Sequence, residues 1–262
     1  MSQRTNQEWT PLIQKKISEV FADYSNVNAP LSSITSPEDP SFALTIDHTL
    51  LKPDATKAQV DALCDEALKY GFKSCCVNGV YAKQVANRLE GSKSIACCVV
   101  GFPLGAGQFQ AKAFEAQQAI ADGAREIDTV IPIGILKSKD YAHVFADIRA
   151  TVEATAPHPV KVIIETVFLT DEEKIAASYV AAEAGAAFVK TCTGFSGGAA
   201  STHDVSLMAK TVAYRGGSVR VKASGGVRSF EACLEMFKAG AERIGSSSGA
   251  AIMENATGSA GY

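Results

Sequence analysis

The sequence predicts an α/β fold, a closed parallel (β/α)8 TIM barrel with an additional N-terminal helix. Three observations carry this. Short apolar runs alternate with longer amphipathic ones eight times, and a phrase made of a helix end, a glycine and a strand start recurs at YGFKSCC, DGAREID, AGAAFVK and AGAERIG. No glycine-rich fingerprint follows the first strand, where IDHTLLKPD stands. Repeated βα units read as a closed parallel barrel, whereas a doubly wound open sheet typically shows that fingerprint after its first strand.

Taken in order, Glu8 to Tyr24 reads as one amphipathic helix, which either caps the bottom of the barrel or makes a subunit contact. Asn26 to Ser41 is rich in Pro, Ser and Asn and reads as a linker, so residues 1–41 form an N-terminal helix and linker. The strand candidates of a barrel over residues 42–253 are FALTIDHT, FKSCCVN, SIACCVVGF, REIDTVIP, VKVIIET, AFVKTC, SVRVKAS and ERIGSS. Helix-like stretches between them include Thr56 to Tyr70, Gln108 to Asp122, Asp140 to Ala154 and Asp171 to Ala184. Several end where a left-handed cap is wanted, at Gly71, Gly123, Gly185 and Gly240. Residues 254–262, small and polar, read as a flexible C-terminal tail.

Bulk properties exclude some classes of function. A net charge of −3 argues against a general nucleic-acid or membrane-surface binder, and no apolar run approaches the length of a membrane span. The start, MSQRTNQEWTPLI, lacks an apolar signal core, so a cytoplasmic location is expected. Of seven cysteines, Cys75–Cys76 and Cys97–Cys98 are adjacent pairs inside strand-like runs. Neighbouring strand residues point to opposite faces, so these read as buried reduced thiols rather than a zinc pattern.

In a barrel of this kind the active site lies at the carboxyl ends of the strands. Lys190 ends the sixth strand and Lys222 ends the seventh, at matching depth. Residues two or four apart share a face, which pairs Arg220 with Lys222, Glu126 with Asp128, and Lys161 with Glu165. Carboxylates on strands four and five facing basic groups on strands six and seven would satisfy one another. Two lysines held close are expected to lower each other's pKa, and burial adds to this. A neutral lysine can attack a carbonyl to form an imine; the second stays charged, and Asp128 is the natural proton shuttle. Spacing alone does not say which lysine is the nucleophile.

Glycine- or serine-rich turns follow the last three strands, in KTCTGFSGG, KASGGVR and RIGSSSG. Backbone N–H groups at Gly225 and Gly226 and hydroxyls at Ser247 and Ser248 suit a phosphate. No metal is expected, because His48, His143, His158 and His203 show no paired spacing; His48 is expected to order the first loop. There is no cofactor fingerprint either.

The segments IDHTLLKP, SCCVNG, VVGFPLG, GAREIDTVI, KVIIET, FVKTCTGF, VKASGGVR and RIGSSSG, from about Ile46 to Ser248, closely resemble the deoxyribose-phosphate aldolase family. The resemblance implies reversible cleavage of 2-deoxy-D-ribose 5-phosphate to D-glyceraldehyde 3-phosphate and acetaldehyde, without metal. By motif it implies Lys190 as the Schiff-base former, Lys222 as the lysine that perturbs it and relays protons, and Asp128 as general acid/base. Asp47 would hold substrate hydroxyls and the catalytic network, while Cys76 and Thr191 would line the pocket. Gly194, Gly225, Gly226, Ser247 and Ser248 match phosphate-loop positions. The family often ends in a tyrosine that assists proton transfer, a position matched by Tyr262. The chain departs from the family at Gly79, where proline is usual, and at Cys192, where serine is common. A transaldolase-like Schiff-base carbon transferase and a non-catalytic phosphosugar-binding barrel are the alternatives. Expected partners are small phosphosugars and aldehydes, with no nucleic acid and no membrane; a homodimer is left open.

Overall fold

The computed structural model describes residues 4–23 and 27–258. Eight parallel strands follow one another around a closed barrel: β1 (Ile46–Leu50), β2 (Ser74–Asn78), β3 (Ile95–Val100), β4 (Glu126–Val130), β5 (Val160–Ile163), β6 (Phe188–Lys190), β7 (Arg220–Ser224) and β8 (Arg243–Ser246). β8 pairs back onto β1, with His48 opposite Ser246. The helices are α1 (Asn6–Ala22), α2 (Lys57–Tyr70), α3 (Ala82–Arg88), α4 (Phe109–Ala121), α5 (Ile133–Lys137), α6 (Tyr141–Thr155), α7 (Asp171–Ala184), α8 (Thr202–Val212), α9 (Phe230–Lys238) and α10 (Gly249–Met253).

Local chemistry sets the βα boundaries. α2 and α7 open with reciprocal capping boxes, Thr56 with Gln59 and Thr170 with Glu173. Such a cap satisfies amide groups the helix leaves orphaned and contributes about 1 kcal/mol. Both helices end on a left-handed glycine, Gly71 at φ 74° and Gly185 at φ 96°. This explains the recurring glycine before a strand: only a residue without Cβ turns the chain back there at no steric cost.

Strand alternation divides the buried residues into two sets. Outward-facing Cys75, Val77, Cys98, Val100, Ile127, Val162, Val189, Val221 and Ile244 pack with the helices in one large apolar cluster. Inside the barrel, Cys76, Cys97, Val99 and Leu51 form a small separate cluster. Each adjacent cysteine pair is therefore split between the two faces, and all seven cysteines are free and buried. The rest of the interior is polar, with Asp47, Ser74, Glu126, Asp128, Lys161, Lys190, Lys222 and Arg243 all buried. Branched aliphatics usually fill this space, so the polar filling marks the barrel centre as a site.

Three expectations are corrected. α1 does not close the bottom of the barrel: it lies along the outside against α6, α7 and α8. Its buried Trp9 meets Phe145 and Tyr179 edgewise or tilted, and its Val20 joins Ile175 and Leu207. The amphipathic stripe is thus satisfied by a flank of neighbouring helices. Glu165 does not share a strand face with Lys161, because β5 ends at Ile163 and Glu165 turns left-handed at φ 56°. His48 faces outward, with Nε2 2.5 Å from Glu66 of α2 and its ring against Phe72, so it ties β1 to the helix layer rather than ordering a loop. Within the linker-like stretch, Ile34 is buried and packs with the main core. No described helix is long and apolar enough to cross a membrane.

Candidate active site

The barrel register delivers the central residues. Lys190 and Lys222 are direct Cα partners between β6 and β7, and Asp128 is partnered with Lys161 between β4 and β5. From β3, β5, β6 and β7 the side chains converge on Asp128. Its Oδ2 accepts from Lys190 Nζ at 2.7 Å and from Lys222 Nζ at 2.8 Å. Its Oδ1 accepts from Lys161 Nζ at 2.8 Å and from Cys97 Sγ at 3.3 Å.

Beneath this lies a second tier. Asp47 Oδ2 accepts from Lys222 Nζ at 2.5 Å, and its Oδ1 accepts from Ser74 Oγ at 2.7 Å and Arg243 Nη1 at 2.8 Å. Arg243 also donates to Glu126 at 3.0 Å, and Lys161 lies 2.6 Å from the same carboxylate. The Arg243 and Arg220 guanidiniums stack on the Phe188 ring at 5.0 and 4.1 Å. Four cation-forming side chains, Lys161, Lys190, Lys222 and Arg243, therefore face three carboxylates, Asp47, Glu126 and Asp128. Lys190 touches just one of the three; Lys161, Lys222 and Arg243 each touch two or more.

The electrostatics reverse one expectation. Burial alone would lower the pKa of Lys222, but Asp128 and Asp47 overcome it and hold the pKa above the ordinary lysine value. Lys161 behaves alike, pushed well up by Asp128 and its other anionic neighbours against the cost of burial. Paired lysines were expected to depress each other; a carboxylate placed between them inverts the sign for Lys222. Burial would raise Asp128 and Asp47, but Lys161, Lys190 and Lys222 hold Asp128 well below the carboxylate range, and Arg243, Lys222 and Lys161 do so for Asp47.

Gly245 explains how Lys222 fits. A Cβ there would lie 2.6 Å from Ser224 Oγ and 2.9 Å from Lys222 Cε. The glycine of RIGSS leaves room for the lysine stem to cross the barrel.

The remaining predicted residues fall as follows. Cys76 faces inward beside Cys97, its Cα partner on β3. Thr191 Oγ1 donates to Ser224 O at 2.7 Å and accepts from Ser224 N at 2.9 Å, so its hydroxyl ties β6 to β7. Gly194, Gly225 and Gly226 are all left-handed, at φ 87°, 99° and 74°. Ala200 N donates to Gly225 O, joining the turns after β6 and β7. Ser248 N donates to Ser246 Oγ at 3.0 Å, and Ser247 stands between them, half-buried, in the turn after β8. Gly258 N donates to Arg228 O, and its backbone lies so close to Ser248 that an added Cβ would fall 2.1 Å from Ser248 Oγ. Tyr262 lies outside the described residues. At Gly79 the chain makes a short 3-10 turn over Gly79–Tyr81.

Sequence reasoning left Lys161, Glu126 and Arg243 out of the predicted site, read Cys97 only as a buried thiol, and did not single out Ser74. The signal for Arg243 was present: it stands two residues before Gly245 and so on the same face. As for metals, Cys76, Cys97 and Asp128 have ligand atoms within 4.8 Å of one another, as do Asp171, His203 and Asp204. In the first group three lysine amino groups already occupy the carboxylate; in the second Lys174 bridges Asp171 and Asp204.

A parallel (β/α)8 barrel with lysines gathered on one carboxylate at its centre is the framework of a barrel enzyme working on small molecules. The chain belongs to the DeoC/LacD family of aldolases, whose model matches residues 41–255. It is 56% identical over 209 residues to the deoxyribose-phosphate aldolase of Finegoldia magna, covering 80% of this chain and 97% of that one. Among solved structures, one from Coccidioides immitis, provisionally assigned as a deoxyribose-phosphate aldolase, superimposes with TM-score 0.88 at 41% identity, covering 97% of this chain and 98% of the other. The tetrameric deoxyribose phosphate aldolase of Aeropyrum pernix gives TM-score 0.78 at 33% identity over 86% of this chain and 93% of that one. The Coccidioides match leaves so little of this chain uncovered that it takes in most of the first forty residues as well.

Proposed function

We propose that this aldolase cleaves 2-deoxy-D-ribose 5-phosphate reversibly into D-glyceraldehyde 3-phosphate and acetaldehyde, through a Schiff base on Lys190. The observation that carries the reading is the single oxygen, Asp128 Oδ2, shared by Lys190 and Lys222 at 2.7 and 2.8 Å. It supplies a nucleophile, a held cation and a proton acceptor within one hydrogen-bond radius.

Charge counting asks for one neutral amine, and the ion pairs make it Lys190, with one carboxylate, rather than Lys222, with two. With Lys190 as a neutral amine, three cations face three carboxylates and the buried cluster is balanced. Lys222, held between Asp47 and Asp128, is the ammonium the site favours. In the proposed sequence Lys190 Nζ attacks the C1 aldehyde, water leaves, and the iminium draws electrons from the C2–C3 bond. Asp128, directly or through water, accepts the C3 hydroxyl proton as glyceraldehyde 3-phosphate departs. The remaining enamine takes a proton at C2 from the Asp128–Lys222 pair, with Tyr262 as a further donor, and hydrolysis releases acetaldehyde. Asp47 holds Lys222 and the substrate hydroxyls, while Cys76 and Thr191 lie along the pocket wall. The turns holding Gly194, Gly225, Gly226, Ser247 and Ser248 take the phosphate, whose binding orients the sugar. The chain's seven buried free thiols suit a cytoplasmic setting.

The test is turnover of 2-deoxyribose 5-phosphate with both products identified, beside a parallel assay with a ketose phosphate donor. Release of acetaldehyde and glyceraldehyde 3-phosphate supports the proposal. Transfer of a three-carbon unit from the ketose, with no acetaldehyde formed, points to the transaldolase-like alternative.

A further inference from the structure

Glu165 has a role that the lysine chemistry does not use. It follows β5 in the left-handed region at φ 56°, a conformation uncommon for a residue with a side chain. Its carboxylate is buried, and among the described residues no cation lies within ion-pair distance of it. A buried carboxylate must instead be satisfied by hydrogen bonds, and all of those it makes run to one loop, the turn between β6 and α8. Thr193 N donates to Oε1 at 3.2 Å, Thr193 Oγ1 donates to Oε2 at 2.5 Å, and Ser196 Oγ donates to Oε2 at 3.2 Å. Thr193 Oγ1 accepts in turn from Phe195 N at 3.0 Å, closing the loop on itself. The other side of the same loop rests on the turn after β7: Ala200 N donates to Gly225 O, and a Cβ at Gly225 would lie 3.3 Å from Gly198 O.

We propose that Glu165 is a positioning residue which clamps the β6–α8 loop against the turn after β7, and thereby sets the preference of the enzyme for a phosphorylated over an unphosphorylated sugar. This rests on the proposed function, in which Gly194, Gly225 and Gly226 present their N–H groups to the phosphate. The strained backbone aims the carboxylate at Thr193 and away from the lysine cluster. Loss of the clamp therefore loosens the anion side of the pocket and leaves the reacting amine in place.

The experiment compares wild type with Glu165→Ala, Glu165→Gln and Thr193→Val. Each is assayed for kcat and KM on 2-deoxyribose 5-phosphate and on 2-deoxyribose, and for inhibition by inorganic phosphate. The expected result for Glu165→Ala is a rise of about tenfold or more in KM for the phosphosugar, the scale of one lost charge-assisted hydrogen bond. The phosphate inhibition constant rises in parallel, and kinetics on the unphosphorylated sugar hold within about threefold. Thr193→Val shows the same selectivity with a smaller effect, and the double variant is no worse than Glu165→Ala, because both remove one contact. Glu165→Gln, which keeps an acceptor for Thr193 N, recovers most of the wild-type KM. Equal losses on both sugars, or a fall in kcat with KM unchanged, would overturn the positioning role. So would a Gln variant as impaired as the Ala variant. Wild-type enzyme that fails to turn over the phosphosugar at all refutes the proposed function first, and this inference with it.

Discussion

Replacing Asp128 by asparagine separates the two jobs assigned to this carboxylate. In the structure its carboxylate meets three lysine amino groups, at 2.7, 2.8 and 2.8 Å, of which Lys222 and Lys161 are held as ammonium. At an effective dielectric of about 20, each ammonium contact is worth roughly 6 kcal/mol of attraction before desolvation is set against it. Removing one partner from a buried ionic cluster costs about 3–5 kcal/mol net. For a chain of this length that corresponds to a fall in Tm of roughly 10 °C. The amide keeps the shape but cannot accept the substrate hydroxyl proton, so kcat should drop about 10²- to 10⁴-fold. Imine formation should survive, because Lys190 and Lys222 remain and the loss of an anion favours deprotonating one of them. The assay pairs steady-state cleavage with borohydride trapping of acetaldehyde on the same preparation, beside a thermal melt. A variant that cleaves within about threefold of wild type would refute the role of Asp128 as proton acceptor. A folded variant that forms no adduct would show that Asp128 is needed earlier, for imine formation itself.

Three further outcomes follow from the same geometry. Gly245→Ala puts a methyl 2.9 Å from Lys222 Cε; it should cut kcat by about tenfold or more by displacing that ammonium, while melting within a few degrees of wild type, as read by kinetics and calorimetry. Lys112 donates to Asp147 at 2.8 Å and to Val130 O at 2.9 Å, and burial pushes the Lys112 pKa down and the Asp147 pKa up, so the pair adds little net stability. Lys112→Met should therefore cost about 3–5 kcal/mol in denaturant unfolding, and Lys112→Met/Asp147→Leu should recover most of it. The pH dependence of stability has a definite sign. Asp128 and Asp47 have depressed folded pKa values, so their contribution is complete above the unfolded value of about 4 and is lost as pH falls below it. Lys222 and Lys161 have raised values, so theirs is complete below about 10.4 and is lost as pH rises beyond it. Tm measured across pH should be level from about 5 to 10 as far as these groups decide it, with Asp47→Asn weakening the acid limb.

The barrel and the lysine pair were legible because they follow from period and order. A strand of alternating residues fixes which side chains point inward, and the glycine-capped helices fix where each strand begins. Matching depth in FVK and RVK then became direct Cα pairing of Lys190 with Lys222. What escaped was set by relations across the barrel. The third lysine, Lys161, reaches Asp128 from the neighbouring strand, and Arg243 reaches Asp47 and Glu126 from β8. No local pattern states those distances, and the sign of the Lys222 shift depends on them. The docking of α1 on α6–α8 escaped for a related reason: an amphipathic stripe says that a face is buried but not against what. Glu165 escaped because a strand pattern carried two residues too far hides the left-handed turn that redirects it.

In the proposed mechanism Lys190 carries the imine while Lys222 stays an ammonium. Incubation with acetaldehyde, reduction by borohydride and peptide mapping by mass spectrometry tests it most directly. One reduced ethyl adduct is expected, on the peptide containing Lys190, abolished in Lys190→Ala and still formed in Lys190-intact variants of Asp128. An adduct on Lys222 or Lys161 alone would contradict the assignment, and an active preparation that yields none would contradict the Schiff base itself.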